Sequence, residues 1–201
     1  MPEAYEHASC FLKSHYGEGR LHVYSFGKHE EDNILCIEVR GTDLASNPLV
    51  RVQSACYTAE IFRSTDCDCH EQLHESLKQI FVEGGLIVYM LCDGRGAGLL
   101  TKVRGLALGD SDQLDTHDAY VRLGVETDPR DYARVAQVLS HRGVQNCRLL
   151  TNNPRKIGGL ESHGIAVTRV ELEIPATHNS LPYLRTKRTK MGHLLDHLKL
   201  G

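Results

Sequence analysis

The chain has 201 residues, is 41% hydrophobic and 24% charged, and carries a formal net charge of −3. That is enough chain for one domain with a real core, and the charge balance excludes a polybasic nucleic-acid binder, short of a local basic patch hidden in the average. Seven cysteines, an odd number, argue against a disulfide framework. The polar amino terminus MPEAYEHASCF and the lack of any run near the roughly 18 apolar residues of a membrane span point to a cytoplasmic protein with no membrane partner.

In chain order, RLHVYSF (20–26), ILCIEVR (34–40) and LVRVQS (49–54) read as strands, separated by turn signals such as GTDLASNP. HEQLHESLKQIFVE then sets Leu73, Leu77, Ile80 and Phe81 at helical spacing, and Gly84 and Gly85 end that helix. GLIVYML (85–91) predicts a short buried strand, followed by the turn DGRGAG and an apolar helix from Leu99 to Leu108. Further helices are expected at 116–123 and 130–142, then the strand CRLLT (147–151) and the polar turn NNPRK. A last strand at 165–174 precedes a basic carboxy-terminal helix near 183–198. Strands come first and alternate with helices later, which gives a mixed α/β class, and the absence of repeats, low-complexity tracts or linkers gives a single domain over 1–201.

Three segments could carry chemistry. Cys10, Cys36, Cys92 and Cys147 stand apart, and Cys36 and Cys92 sit in apolar runs as small hydrophobes. Cys56, Cys67 and Cys69 are close together. Thiols two residues apart on an extended or turning segment project to one side, and Cys56 can return to them through the intervening loop. Three thiolates leave one tetrahedral position of Zn2+ open, which a hydrolytic site needs, unless His70, next to Cys69, closes it. Buried or redox-active thiols are the other reading. DGRGAGLL follows a strand and opens a helix, where backbone N–H groups and a mobile arginine suit an anion; taken alone, a tight turn is the better reading. TNNPRK also ends a strand and enters a helix, with Thr151 and Lys156 placed for a phosphate, and an Asn-Pro turn is its bland reading.

RVQSACYTAEIFRSTDCDCHEQL, DGRGAGLLTKVRGLAL, DTHDAYVRLGVETDPRDY, RLLTNNPRK and YLRTKRTKMGHLL, in this order from about residue 49 to residue 197, resemble GTP cyclohydrolase II. That family comprises zinc enzymes that open the guanine imidazole ring at the start of riboflavin synthesis. The resemblance implies a GTP cyclohydrolase II-like fold, a mixed sheet with flanking helices, with Cys56, Cys67 and Cys69 as ligands of one Zn2+. It makes Asp128 the general base and Arg130 the proposed nucleophile on the α-phosphate. An arginine loses its proton only with difficulty, so positioning and charge stabilisation of the phosphoryl group is the simpler role. The resemblance also makes Arg51, Ser54, Gln72, Asp93, Gly94, Arg95, Thr116, Thr151 and Lys156 nucleotide contacts. It implies GTP as the first substrate, Mg2+ with its phosphates, and a homodimer with no nucleic-acid partner.

The chain departs from the family at the expected site. RVQSAC stands for RVHSEC, so Gln53 replaces histidine and Ala55 replaces glutamate. DGR stands for EGR, which shortens by one methylene the carboxylate expected to read the guanine edge. His70 stands where the family has glycine, and Leu106 replaces the family's catalytic tyrosine. Three readings follow: a zinc cyclohydrolase on GTP or a close purine nucleotide that retains the formyl group; a related hydrolase acting on another base; or a nucleotide-binding paralogue without turnover.

Overall fold

The computed structural model describes residues 2–195 and 198. Seven strands form one mixed sheet: β1 (Glu6–Ser14), β2 (Gly17–Ser25), β3 (Asn33–Val39), β4 (Leu49–Ser54), β5 (Gly85–Met90), β6 (Asn146–Leu150) and β7 (Ala166–Val170). Their order is β1-β2-β3-β5-β4-β6-β7. The pairs β1/β2, β2/β3 and β3/β5 are antiparallel, and β5/β4, β4/β6 and β6/β7 are parallel. The helices are α1 (Tyr57–Glu60), α2 (Cys69–Glu83), α3 (Leu99–Asp112), α4 (Thr116–Arg122), α5 (Ala133–His141), α6 (Pro154–Glu161) and α7 (Leu181–Met191). None of them is long and apolar enough to cross a membrane.

The chain divides into two compact units, Met1–Ser54 with Leu73–Leu91 and Asp131–Leu172, and Ala55–Gln72 with Cys92–Arg130 and Glu173–Gly201. The first unit contains the whole sheet. Its core is built as the periodicity predicts: Ile80 is fully buried with Val39, Leu49, Ile87 and Leu150, and Leu73, Leu77 and Phe81 on the same face of α2 pack against them. β5 is buried at all but one position, and so reads in sequence as an unbroken apolar run. At Gly85 (φ 151°) an added Cβ would lie 2.1 Å from the Leu49 carbonyl oxygen, so only glycine lets β5 start beside β4.

The expected strands and helices are present; α1 is an additional short helix and α3 runs on to Asp112, beyond the expected Leu108, and the strands and the carboxy terminus differ as follows. β1 carries no sequence signal, because all nine of its residues are exposed and an edge strand with no buried face shows no alternation. β7 stops at Val170, short of the expected 174. The carboxy-terminal helix ends at Met191, where Gly192 turns left-handed (φ 66°) and its N–H reaches the Lys187 carbonyl. Positions 196 and 197 of the expected helix lie outside the described residues.

In the first unit a histidine cluster sits on β1 and β2. His7 Nε2 is 3.1 Å from His22 Nδ1, and the His7 ring stacks on His22 and on Tyr24. Glu38 lies 3.6 Å from His22 Nε2, yet its carboxylate is held by Arg142 at 2.5 Å. Burial and the Arg142 charge therefore outweigh Glu38 and push the His22 pKa down to about 4. The unfolded chain takes up this proton near pH 6.5 and the folded chain only near 4, so stability is full above that window and falls as pH drops through it. Urea unfolding midpoints measured between pH 7.5 and pH 4 should decrease, and His22→Gln should flatten the decrease between 6.5 and 4; an unchanged slope would remove His22 as its source.

Candidate metal and nucleotide site

The second unit gathers the three cysteines. Cys56 precedes α1, and its carbonyl accepts from the Ala59 and Glu60 N–H groups. Cys69 is the first residue of α2, and Cys67 lies in the turn before it. The three sulfurs lie within 4.8 Å of one another, and Cys56 Sγ is 3.8 Å from Cys67 Sγ. Two thiolates bound tetrahedrally to Zn2+ at 2.3 Å stand about 3.8 Å apart, so the donor set and its spacing fit that ion. His70 is not in this group; its ring lies against the Arg63 guanidinium. Thiol hydrogen bonds from Cys67 and Cys69 hold the Cys56 thiol far below its usual range, and the same sharing raises Cys67 to about 11 and pushes Cys69 up as well.

Two lysines stand behind the sulfurs. Lys102 on α3 donates to Cys56 Sγ at 3.1 Å and to Asp93 Oδ1 at 2.9 Å. Burial works against its charge, but the Cys56 sulfur and Asp93 outweigh it and raise its pKa. Lys187 on α7 donates at 3.1 Å to Asp68, the residue between Cys67 and Cys69, and Gln72 Nε2 donates to the other Asp68 oxygen at 2.5 Å. Asp68 is 5% exposed, and despite that burial Lys187 and Gln72 keep its pKa low. Gln72 thus orients the cysteine turn in addition to any contact with a ligand.

The DGR turn is a single 3-10 turn, Gly94–Gly96, capped by Asp93 through the Gly94 N–H. The other Asp93 oxygen accepts from the Tyr57 N–H at 2.8 Å. Arg95 takes a left-handed backbone (φ 57°) and reaches Thr116 Oγ1 and the Thr127 carbonyl, with its guanidinium 5.1 Å from the Tyr120 ring centre. Asp128 is 3% exposed and grips Arg130 bidentately, with Nε–Oδ1 and Nη2–Oδ2 both 2.7 Å. Leu106 on α3 is 43% exposed. The other group of metal-capable side chains among the described residues, Asp115, His117 and Asp118, already holds Lys190 Nζ at 2.6 Å from Asp115 and 2.7 Å from Asp118.

The remaining expected contacts belong to the first unit. Arg51 on β4 donates from Nε and Nη2 to Gln53 Oε1 at 3.1 and 2.8 Å, and from Nη1 to the Leu150 carbonyl at 2.9 Å. Gln53, the substitute for histidine, thus fixes the guanidinium of Arg51. Ser54 ends β4 with its hydroxyl 3.9 Å from Met90 Sδ. Thr151 follows β6 and its hydroxyl accepts from the Asn153 N–H at 3.0 Å. Asn153 caps α6 by accepting from the Arg155 N–H, Pro154 occupies the first turn, and Lys156 Nζ donates to the Val52 carbonyl at 2.7 Å.

Sequence reasoning missed Lys102, Asp68 and Lys187. Lys187 is one of several basic residues on α7, Lys102 reads as an ordinary helix-surface cation, and Asp68 reads as a spacer; their pairing exists only once the helices pack. The motif CDC did carry a signal, since an acid buried between two thiols calls for a cation beside it.

The described residues thus bring together a group of three thiols able to hold a metal ion, and two turns, DGR and TNNPRK, whose helix starts are capped by Asp93 and Asn153. The family model for GTP cyclohydrolase II matches residues 5–171, and the chain belongs to that family. Similar curated proteins include the riboflavin biosynthesis protein RibBA of Staphylococcus epidermidis, 42% identical over 178 residues, covering 88% of this chain and 45% of the relative. RibBA of Bacillus cytotoxicus is 49% identical over 188 residues, covering 92% and 47%. The chain thus spans about half the length of the curated relatives it matches. Among solved structures, a two-domain 3,4-dihydroxy-2-butanone 4-phosphate synthase, RibBX from A. baumannii, shares the fold with a TM-score of 0.50 and 16% identity, covering 85% of this chain and 41% of that one.

The sulfur geometry makes a direct statement about metal content. Purified protein should carry about one zinc per chain, Cys67→Ser should lose it, and His70→Ala should keep it, as read by elemental analysis. Loss of zinc from His70→Ala would mean a closed four-ligand site.

Proposed function

We propose that this chain is a zinc-dependent cyclohydrolase that opens the imidazole ring of GTP or a close purine nucleotide, with pyrophosphate release and retention of the formyl group. The observation that carries this reading is the spacing of the Cys56, Cys67 and Cys69 sulfurs in a member of this family. One Zn2+ on these residues would supply a Lewis acid that brings the pKa of water toward about 7 for hydrolysis at carbon 8 of the purine. The family match runs through both units, which supports taking 1–201 as one functional domain. The RibBA relatives support a place in riboflavin-type metabolism.

The remaining roles belong to the chain's own side chains. Arg51, Thr151 and Lys156 bind phosphate oxygens beside the first turn of α6, where their hydroxyl and positive charges and the positive end of the helix favour anions. Arg130, oriented by Asp128, stabilises the phosphoryl group as pyrophosphate leaves, and Asp128 serves as the base. Ser54, Gln72, Gly94, Arg95 and Thr116 complete the nucleotide contacts. Mg2+ arrives with the phosphates, and the working form is a homodimer. Leu106 offers neither donor nor acceptor, so nothing at that position orients the second water needed to remove formate.

One observation favours a second reading, in which the base is not guanine. Both Asp93 oxygens are engaged within the protein, by Gly94 and Lys102 on one side and Tyr57 on the other, which leaves little of that carboxylate to read a purine edge.

Zinc-loaded protein incubated with a panel of nucleoside triphosphates, with product mass and formate followed, tests both. GTP should give a ring-opened product still bearing formyl, and Leu106→Tyr should restore formate release, a step that one acid–base group speeds about 10²–10⁴-fold. Stoichiometric formate from the unmodified protein would overturn formyl retention; turnover of another nucleotide in preference to GTP would select the second reading; binding without turnover would overturn the enzyme. Lys156→Ala should act mainly on KM and Arg130→Ala mainly on kcat. A pure KM effect from both would remove Arg130 from the chemistry.

A further inference from the structure

Lys102 closes a circuit around one of the three sulfurs. Its ammonium donates to Cys56 Sγ at 3.1 Å and to Asp93 Oδ1 at 2.9 Å, and Asp93 Oδ2 accepts at 2.8 Å from the N–H of Tyr57, the residue directly after Cys56. Cys56 is therefore held by its sulfur through Lys102, and the peptide group that follows it is held by Asp93 through the Tyr57 N–H. The circuit is shielded from water: Cys56 is 7% exposed, Asp93 3%, and the Lys102 side chain 15%. In such surroundings charge-assisted hydrogen bonds are strong and their loss is costly. Gly94 lets the turn press onto α3, since a Cβ there would lie 3.2 Å from Lys102 Cβ and 3.1 Å from the Tyr120 hydroxyl.

We infer that Lys102 is a positioning residue for the metal: it donates a hydrogen bond to the Cys56 sulfur and, through Asp93, fixes the backbone that carries it. This rests on the reading of Cys56, Cys67 and Cys69 as metal ligands. An N–H donor on a ligating sulfur draws charge from it, sets its orientation and so tunes both affinity and the electronic character of the metal–sulfur bond. The arrangement also ties the DGR turn to the metal, because the Asp93 carboxylate that caps the turn is the one that orients Lys102.

The test compares full-length protein with Lys102→Met, Lys102→Arg and the double variant Asp93→Asn/Lys102→Met, which leaves no buried unpaired carboxylate; circular dichroism verifies that each is folded. Zinc affinity is measured by chelator competition, and Co2+ is substituted to read the sulfur-to-metal charge-transfer band. Lys102→Met and the double variant should bind zinc about 10–100-fold more weakly, the loss typical of an outer-sphere partner, with a displaced charge-transfer band, and Lys102→Arg should recover part of both. Affinity within twofold of the unmodified protein and an unmoved band in both methionine variants would overturn the inference alone. A loss in Lys102→Arg as large as in Lys102→Met would also overturn it, because the donor is retained there. Failure of the unmodified protein to bind zinc or cobalt would instead overturn the metal reading itself, and this inference with it.

Discussion

Crowding three sulfurs within 4.8 Å of one another is the constraint from which the second unit follows. Thiolates that close repel, and a largely buried cluster is stable only where positive charge or hydrogen-bond donors meet it. Lys102 faces Cys56, and Lys187 meets Asp68 between Cys67 and Cys69. Each lysine also has a carboxylate partner, so no buried charge in this set stands alone. Lys102 on α3 and Lys187 on α7 thereby tie these helices to the cysteine loop by charge.

The first unit meets a different requirement. Its parallel strands β4 and β6 end in residues that carry polar groups into a buried setting, Arg51 and Gln53 on one and Thr151, Asn152 and Asn153 after the other. Each finds partners in nearby backbone or side chains: Arg51 on Gln53 and the Leu150 carbonyl, Asn152 on the Leu172 carbonyl, Lys156 on the Val52 carbonyl. Ends of parallel strands followed by capped helices are where α/β folds place anion sites, since the helix N-terminus supplies donors that the sheet does not consume. The core beneath, centred on Ile80 and Leu49, holds those ends in register.

The departures that the family resemblance implies act on the two requirements unequally. Gln53 keeps an acceptor for Arg51, so the replacement of histidine preserves a polar contact. Ala55 is 5% exposed and offers no charge, leaving Lys102 and Asp93 as the charged pair beside Cys56. Leu106 lies on α3 one helical turn beyond Lys102, which places an apolar side chain where a hydroxyl is expected.

Local order was legible in the sequence wherever one face of an element is buried. The α2 spacing of Leu73, Leu77, Ile80 and Phe81, the bounds of β4, and the glycines that end α2 followed from periodicity and backbone sterics alone. So did the nearness of Cys67 and Cys69, while the family resemblance supplied the roles proposed for them and for Asp128 and Arg130. Strand β1 was not legible because none of its residues is buried. The division into two units was invisible because the chain passes between them at residues 54/55, 72/73, 91/92, 130/131 and 172/173, so no linker marks a boundary. The exclusion of His70 from the sulfur group and the partners of Lys102, Lys187 and Gln53 were decided only by tertiary structure: each depends on which groups packing brings into contact, and sequence spacing carries no information about that.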